Sequence, residues 1–170
     1  MKKTLFLTTI NSPVWLLTLW VVDDTLCLLE FWDTKRRSRE IKEILKYFDA
    51  EILQDTHPLF EKVEKELQEY FAGKRKSFDI PLSPFGTELQ KNTWKVLQSI
   101  PYGETYSYKT QAEKLGNIKA VRAVANANGK NRIGIIIPCH RVIGSDWSLT
   151  GFGGGIENKK YLLELEARYR

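Results

Sequence analysis

The sequence predicts an α+β protein in two domains. Residues 1–80 read as a small antiparallel sheet with helices, and residues 85–170 as a mainly helical part with a helix-turn-helix and a short active-site strand. Three features support this. The first third alternates runs of β-branched and aromatic residues with turn formers, the pattern of short strands. Beyond residue 34 apolar residues recur mostly at helical spacing. The halves are divided by Lys74-Arg75-Lys76 followed by Pro81 and Pro84, a charged, proline-punctuated stretch that reads as a linker.

Residues 5–10, 15–21 and 26–31 are separated by Asn11-Ser12-Pro13 and Asp23-Asp24, so an antiparallel meander is the economical reading. Ile41, Ile44, Leu45 and Phe48 mark one face of a first helix. Leu59, Val63, Leu67, Tyr70 and Phe71 mark a second, started near Pro58 and stopped at Gly73. The second half opens with a helix in which Thr87 and Gln90 have capping-box spacing and Leu89, Thr93, Val96 and Leu97 share a face. After a turn at Pro101-Tyr102-Gly103-Glu104, Ser107 is placed to cap a short helix that runs to Leu115 and ends at Gly116. A second short helix follows over about residues 120–128. The isoleucine-rich run 133–137 is expected to be a strand delivering Pro138-Cys139-His140-Arg141. A glycine-rich loop, 151–155, leads into a last helix over about residues 157–168.

Apolar residues make up 42% and charged residues 28%, enough to bury a core, which excludes collagen-like, low-complexity and disordered chains. Two cysteines and two histidines exclude a disulfide framework, and no metal site is expected. The start, MKKTLFLTTINSP, has lysines before an apolar stretch, but no alanine precedes Ala50 and so no A-x-A cleavage site is present. The apolar run from Val14 to Val22 is too short to span a bilayer. The expectation is a soluble, cytoplasmic protein with no membrane partner. The net charge of +5 is unevenly shared. Residues 1–84 hold 13 basic and 14 acidic side chains, and residues 85–170 hold 13 and 7. Such asymmetry points to a polyanion-facing second half.

Two helices around Gly116 have helix-turn-helix spacing, and the second would present Arg122, Ala123, Asn126 and Ala127 on one face, with Val121 and Val124 inward. The same spacing fits an ordinary packed helix pair. Seven basic residues and one acid between Thr105 and Arg141 favour DNA. Cys139 is the sharpest point. Buried inert cysteines are the commoner kind, but His140 and Arg141 flank this one, and both favour a thiolate. Adjacent side chains of an extended segment point apart, so a water bridge between Cys139 and His140 is more plausible than direct contact. Glu166 follows Leu162 by four and Leu163 by three, on the apolar stripe of the last helix, where an unpaired carboxylate is costly. His140 is the natural partner, and a Glu–His–water–Cys relay follows. Cys27 sits in an apolar strand and reads as structural. A DNA-binding module without catalysis and a cysteine hydrolase are the competing readings. The second leaves the basic helix pair without a task.

IPCHRVIG, then TGFGGG and a helix with LLELE, resembles the O6-alkylguanine-DNA alkyltransferase (methylated-DNA–protein-cysteine methyltransferase) family. The likeness extends back through IPYGETYSY, KAVRAVANANG and Asn131 and covers essentially all of residues 85–170, whereas the first half fits only loosely. The resemblance implies a monomer without cofactor or metal that acts on double-stranded DNA containing O6-alkylguanine. It implies that Cys139 accepts the alkyl group, that His140 is the base through water, and that Glu166 orients it. It further implies that Tyr108 assists protonation of the guanine leaving group, that Arg122 fills the space of the flipped base, and that Asn131 braces the turn before the active-site strand. Gly153, Gly154 and Gly155 would line the base pocket, with Trp147 able to cover part of it. Three positions depart from the family pattern: Arg132 replaces a usual proline, Trp147 a usual glycine, and Gly153 a serine found in some relatives.

Overall fold

The computed structural model describes residues 1–53, 56–146, 148–149 and 151–170. Its first element is a four-stranded sheet in the order β3-β2-β1-β4, built from β1 (Lys3–Asn11), β2 (Leu16–Val22), β3 (Thr25–Phe31) and β4 (Ala50–Leu53). The meander β1-β2-β3 is antiparallel, as the turn residues require. Asp23 and Asp24 take left-handed conformations (φ 47° and 60°) at the β2–β3 turn, which aspartate tolerates better than most residues. β4 pairs parallel with β1, Lys3 opposite Ala50. It was not foreseen: four residues with three exposed lack an alternating pattern.

Helix α1 (Thr34–Phe48) crosses one face of the sheet and α2 (Pro58–Phe71) lies on the other. Both faces are therefore buried. Leu5, Trp20, Val22, Leu28 and Ile44 pack together on the α1 side. On the other side Leu17, Leu19, Val21 and Leu29 join Val63, Leu67, Trp94, Leu97, Ile133, Val142 and Leu162 in one core, which runs across the residue 80–85 stretch.

The second half contains α3 (Glu88–Gln98), α4 (Tyr108–Leu115), α5 (Val121–Gly129) and α6 (Ile156–Arg168). Thr87 and Gln90 close a reciprocal capping box. The Ser107 hydroxyl accepts from the Thr110 N–H, and Gly116 ends α4 with φ 89°. A two-stranded parallel sheet, β5 (Tyr106–Ser107) and β6 (Val142–Ile143), ties the start of α4 to the chain just past Cys139.

Residues 133–137 are not the expected strand. They form a turn joined to the large sheet by one isolated bridge, Ile133 to Leu29, and by the Gly134 N–H donating to the Leu29 carbonyl, and Ile135 adopts φ 67°. The short strand of this region is β6, three residues beyond Cys139, and Cys139–Arg141 form a single 3-10 turn. Five mainly β-branched residues look like a strand locally, but β3 meets them at a single bridge and completes no ladder. Among the described residues no helix is long and apolar enough to cross a membrane.

Candidate active site

The Cys139 thiol is half-buried and lines a cavity of about 500 Å³. That volume lies within the ~300–1,000 Å³ range of sites that enclose a small organic group. Gly153, Gly154 and Gly155 form one wall. A side chain at Gly154 would lie 2.3 Å from the Phe31 ring, so glycine is needed for this close approach. Further lining comes from the first half: Leu29, Glu30, Phe31, Trp32 and Arg36. Arg36 Nη1 lies 3.8 Å from where a Gly153 Cβ would stand, bringing a positive charge over the glycine loop. None of these first-half residues was singled out from sequence. The basic run Lys35-Arg36-Arg37 was the available signal, hidden by the near-zero net charge of its half. Trp147 lies outside the described residues.

Asn131 holds the turn that leads to the thiol. Its Nδ2 donates to the Ile137 carbonyl at 2.8 Å and its Oδ1 accepts from the Ile133 N–H at 3.0 Å. This spans the residue with positive φ, a strained state for an isoleucine that persists only when its surroundings hold it.

His140 is fully buried, and its Nε2 lies 2.7 Å from Glu166 Oε1. Glu166, 1% exposed, also accepts from the Tyr70 hydroxyl at 2.7 Å, from Arg141 Nη2 at 2.9 Å and from Arg141 Nε at 2.8 Å. Burial alone would raise the Glu166 carboxyl, but the His140 and Arg141 hydrogen bonds and charges outweigh it and hold it at about 2. Burial pushes His140 below its ordinary value, against the pull of Glu166. The pair is thus a neutral imidazole donating from Nε2 to an ionised carboxylate. Nδ1 becomes the basic nitrogen, and it is buried without a hydrogen-bond partner among the described residues.

Arg141 turns to partners other than the thiol. Its guanidinium is engaged by Glu166 and, at 2.8 Å, by the Ile100 carbonyl. The expectation that it favours a Cys139 thiolate is therefore corrected: the 3-10 turn directs neighbouring side chains to different surroundings. The cation that does act on the thiol is Lys159, fully buried on α6, with Nζ donating to the Val142 carbonyl at 2.6 Å. Burial raises the Cys139 thiol, while Asn131 and Lys159 pull it down without cancelling the rise. Lys159 was missed, although it precedes Leu162 by three and Glu166 by seven on the same apolar stripe. Tyr70 was read only as a core residue.

Helices α4 and α5 are locked by reciprocal buried amide bonds, Gln111 Nε2 to Asn128 Oδ1 at 2.8 Å and Asn128 Nδ2 to Gln111 Oε1 at 2.7 Å. Arg122 and Asn126 are exposed on α5, and Ala123 is half-buried beside them. Ala127 is not on that face. It is 3% exposed, next to Val124 on the inward stripe, and its carbonyl accepts from the Trp94 indole at 2.8 Å. Tyr108 opens α4, half-buried against the main core, and does not line the cavity. Cys27 is fully buried, its thiol pushed up to about 12 by burial. Among the described residues no group of three or more His, Cys, Asp or Glu side chains is arranged to hold a metal ion.

Family models of 6-O-methylguanine DNA methyltransferase match the chain twice: the ribonuclease-like domain over residues 5–84 and the DNA binding domain over residues 88–168. The chain is 43% identical to the methylated-DNA–protein-cysteine methyltransferase of Mycolicibacterium paratuberculosis over 162 residues, 95% of this chain and 92% of the relative. It is 50% identical to that of Methanosarcina acetivorans over 112 residues, 66% of this chain and 72% of the relative. Its fold is similar to the crystal structure of Mycobacterium tuberculosis O6-methylguanine methyltransferase, with TM-score 0.80 and 39% identity over 98% of this chain and 94% of that one. A second Mycobacterium tuberculosis structure, in complex with DNA, gives TM-score 0.81 and 40% identity over the same shares of the two chains.

Proposed function

The chain belongs to the O6-methylguanine-DNA methyltransferase family, and we propose that it repairs double-stranded DNA by moving the alkyl group from O6 of guanine onto its own Cys139. The observation that carries the residue assignment is geometric: a cavity-lining thiol, raised by burial, is followed in the chain by a fully buried imidazole whose Nε2 lies 2.7 Å from Glu166 Oε1. Such a thiol needs a base. His140 Nδ1 takes the Cys139 proton through a bridging water, and Glu166 stabilises the imidazolium that forms. Lys159 favours the thiolate electrostatically. Sγ then attacks the alkyl carbon, the carbon–O6 bond breaks, and the electron pair passes to the guanine, which takes up a proton. The product is a thioether, so each molecule acts once and needs no cofactor.

A base alkylated at its pairing edge is unreachable inside a duplex and must be flipped out. Arg122 would occupy the vacated space, with Ala123 and Asn126 on the same exposed face and small enough for close approach to the minor groove. The glycine loop with Gly153, Gly154 and Gly155 would receive the base, and Asn131 would hold the acceptor turn. In this reading residues 85–170 carry binding and chemistry and residues 1–80 support them. All groups needed for the transfer sit on one chain, which fits a monomer.

The test is the intact mass after incubation with duplex carrying O6-methylguanine. One added methyl, located at Cys139 and absent in Cys139→Ala, is expected, while the variant keeps its DNA affinity. Product formed repeatedly per protein, or no mass gain, refutes the proposal.

A further inference from the structure

Arg132 and Glu30 lie outside the relay just described, yet they join the acceptor turn to the first half. The backbone makes the first join: Leu29 N–H donates to the Arg132 carbonyl at 2.8 Å, and Gly134 N–H donates to the Leu29 carbonyl at 2.8 Å. The side chains make the second. Arg132 is hydrogen-bonded to Glu40, lies 3.3 Å from Glu43 Oε2, and lies 3.6 Å from Glu30 Oε1. Glu30 and Glu40 are nearly buried, with side chains 15% and 7% exposed. Glu30 also lines the cavity that holds Cys139. Arg132 follows Asn131 directly, and three residues further on stands Ile135, in its strained left-handed conformation.

We propose that Arg132 and Glu30 are positioning residues for alkyl transfer, fastening the acceptor turn to the first half and setting the charge on the cavity wall that faces the thiol. The proposal rests on the reading of Cys139 given above. The groups facing Glu30 are Glu40 and Arg36 from α1 and Arg132 from the acceptor turn. Burial first, and then the charge of Glu40, push the Glu30 carboxyl up to about 8, against the pull of Arg132 and Arg36. Near neutral pH the wall is therefore uncharged at Glu30. As pH rises through about 8 a negative charge appears there and opposes the Cys139 thiolate. A turn that stores backbone strain holds its shape only while its fastening is intact.

The experiment measures alkylation of Cys139 by iodoacetamide, followed by mass from about pH 6 to about pH 10, beside methyl transfer from O6-methylguanine duplex. The small reagent reports the thiol without DNA, so loss of methyl transfer in the unaltered protein would refute the function while leaving this inference testable. Glu30→Gln is expected to react about threefold or more faster than the unaltered protein above pH ~8, with no difference near pH ~6. Glu40→Gln removes a repelling charge and is expected to move the alkaline inflection to lower pH. Arg132→Ala is expected to slow methyl transfer about tenfold at unchanged DNA affinity, with partial recovery in Arg132→Lys. Superimposable pH profiles for Glu30→Gln, Glu40→Gln and the unaltered protein, or full transfer rate in Arg132→Ala, overturn the proposal.

Discussion

Replacing Glu166 by Gln keeps the shape of the side chain and removes one charge. The carboxylate accepts four hydrogen bonds at or below 2.9 Å, from His140, Tyr70 and twice from Arg141, in a site it occupies at 1% exposure. Two routes give the cost. Holding the carboxyl at about 2 instead of its ordinary 4.5 corresponds to about 3 kcal/mol of preference for the ionised form. Independently, removing one partner of a buried ion pair costs ~3–5 kcal/mol, because the other charge, here Arg141 at 8% side-chain exposure, is left uncompensated. Urea unfolding of Glu166→Gln should therefore show a loss of about 3–4 kcal/mol. The chemical step should suffer as well. A neutral amide no longer fixes the His140 proton on Nε2 or stabilises the imidazolium, so the single-turnover transfer rate should fall by at least ~100-fold. Duplex affinity, measured by fluorescence anisotropy, should not change, since Glu166 is buried away from the exposed face of α5. A stability loss below ~1 kcal/mol together with a transfer rate within about threefold of the unaltered protein would refute both the ion-pair and the relay argument.

Three further outcomes follow from the same geometry. Glu166 titrates at about 2 in the fold and at an ordinary 4.5 in the unfolded chain, so the unfolded state binds more protons between these values. The Glu166 contribution to stability should be fully present above about 4.5 and fall by about 3 kcal/mol as pH drops toward about 2, as followed by circular dichroism. Neutral buried His140 adds to this loss once pH falls below its ordinary 6.5. Tyr70→Phe deletes one hydroxyl that donates to Glu166 and should cost about 1.5–3 kcal/mol in urea unfolding; a change within ±0.5 kcal/mol would mean that the bond contributes nothing. Gly154→Ala places a methyl group 2.3 Å from Phe31 and should destabilise by about 1–3 kcal/mol in thermal unfolding, with recovery in the Phe31→Leu background; equal losses in both backgrounds would exclude the clash.

The local chemistry of the chain was legible without coordinates. The capping box at Thr87 and Gln90, the Ser107 cap and the Gly116 stop each depend on groups within four residues of one another, and each formed as its residue types require. The stripe of α6 exposed Glu166 as a charge that needs a partner, and His140 lies against it. The same stripe held Lys159, passed over because a lysine is ordinarily assumed to reach solvent along its flexible stem.

What the tertiary structure alone decided lies at long separation. Tyr70 and Glu166 are 96 residues apart, Arg132 and Glu40 are 92, and no local pattern marks either pair. Residues 133–137 carry every local mark of a strand yet form a turn. A strand exists only where a neighbour supplies a ladder, and here β3 supplies a single bridge at Leu29. Ala127 lies on the same short helix as Arg122, but the packing of α3 and the Trp94 indole determine which side of α5 faces inward. The cavity wall of Glu30, Phe31 and Arg36 follows the same rule. Residue type states what a side chain needs, and only the folded backbone determines which distant group provides it.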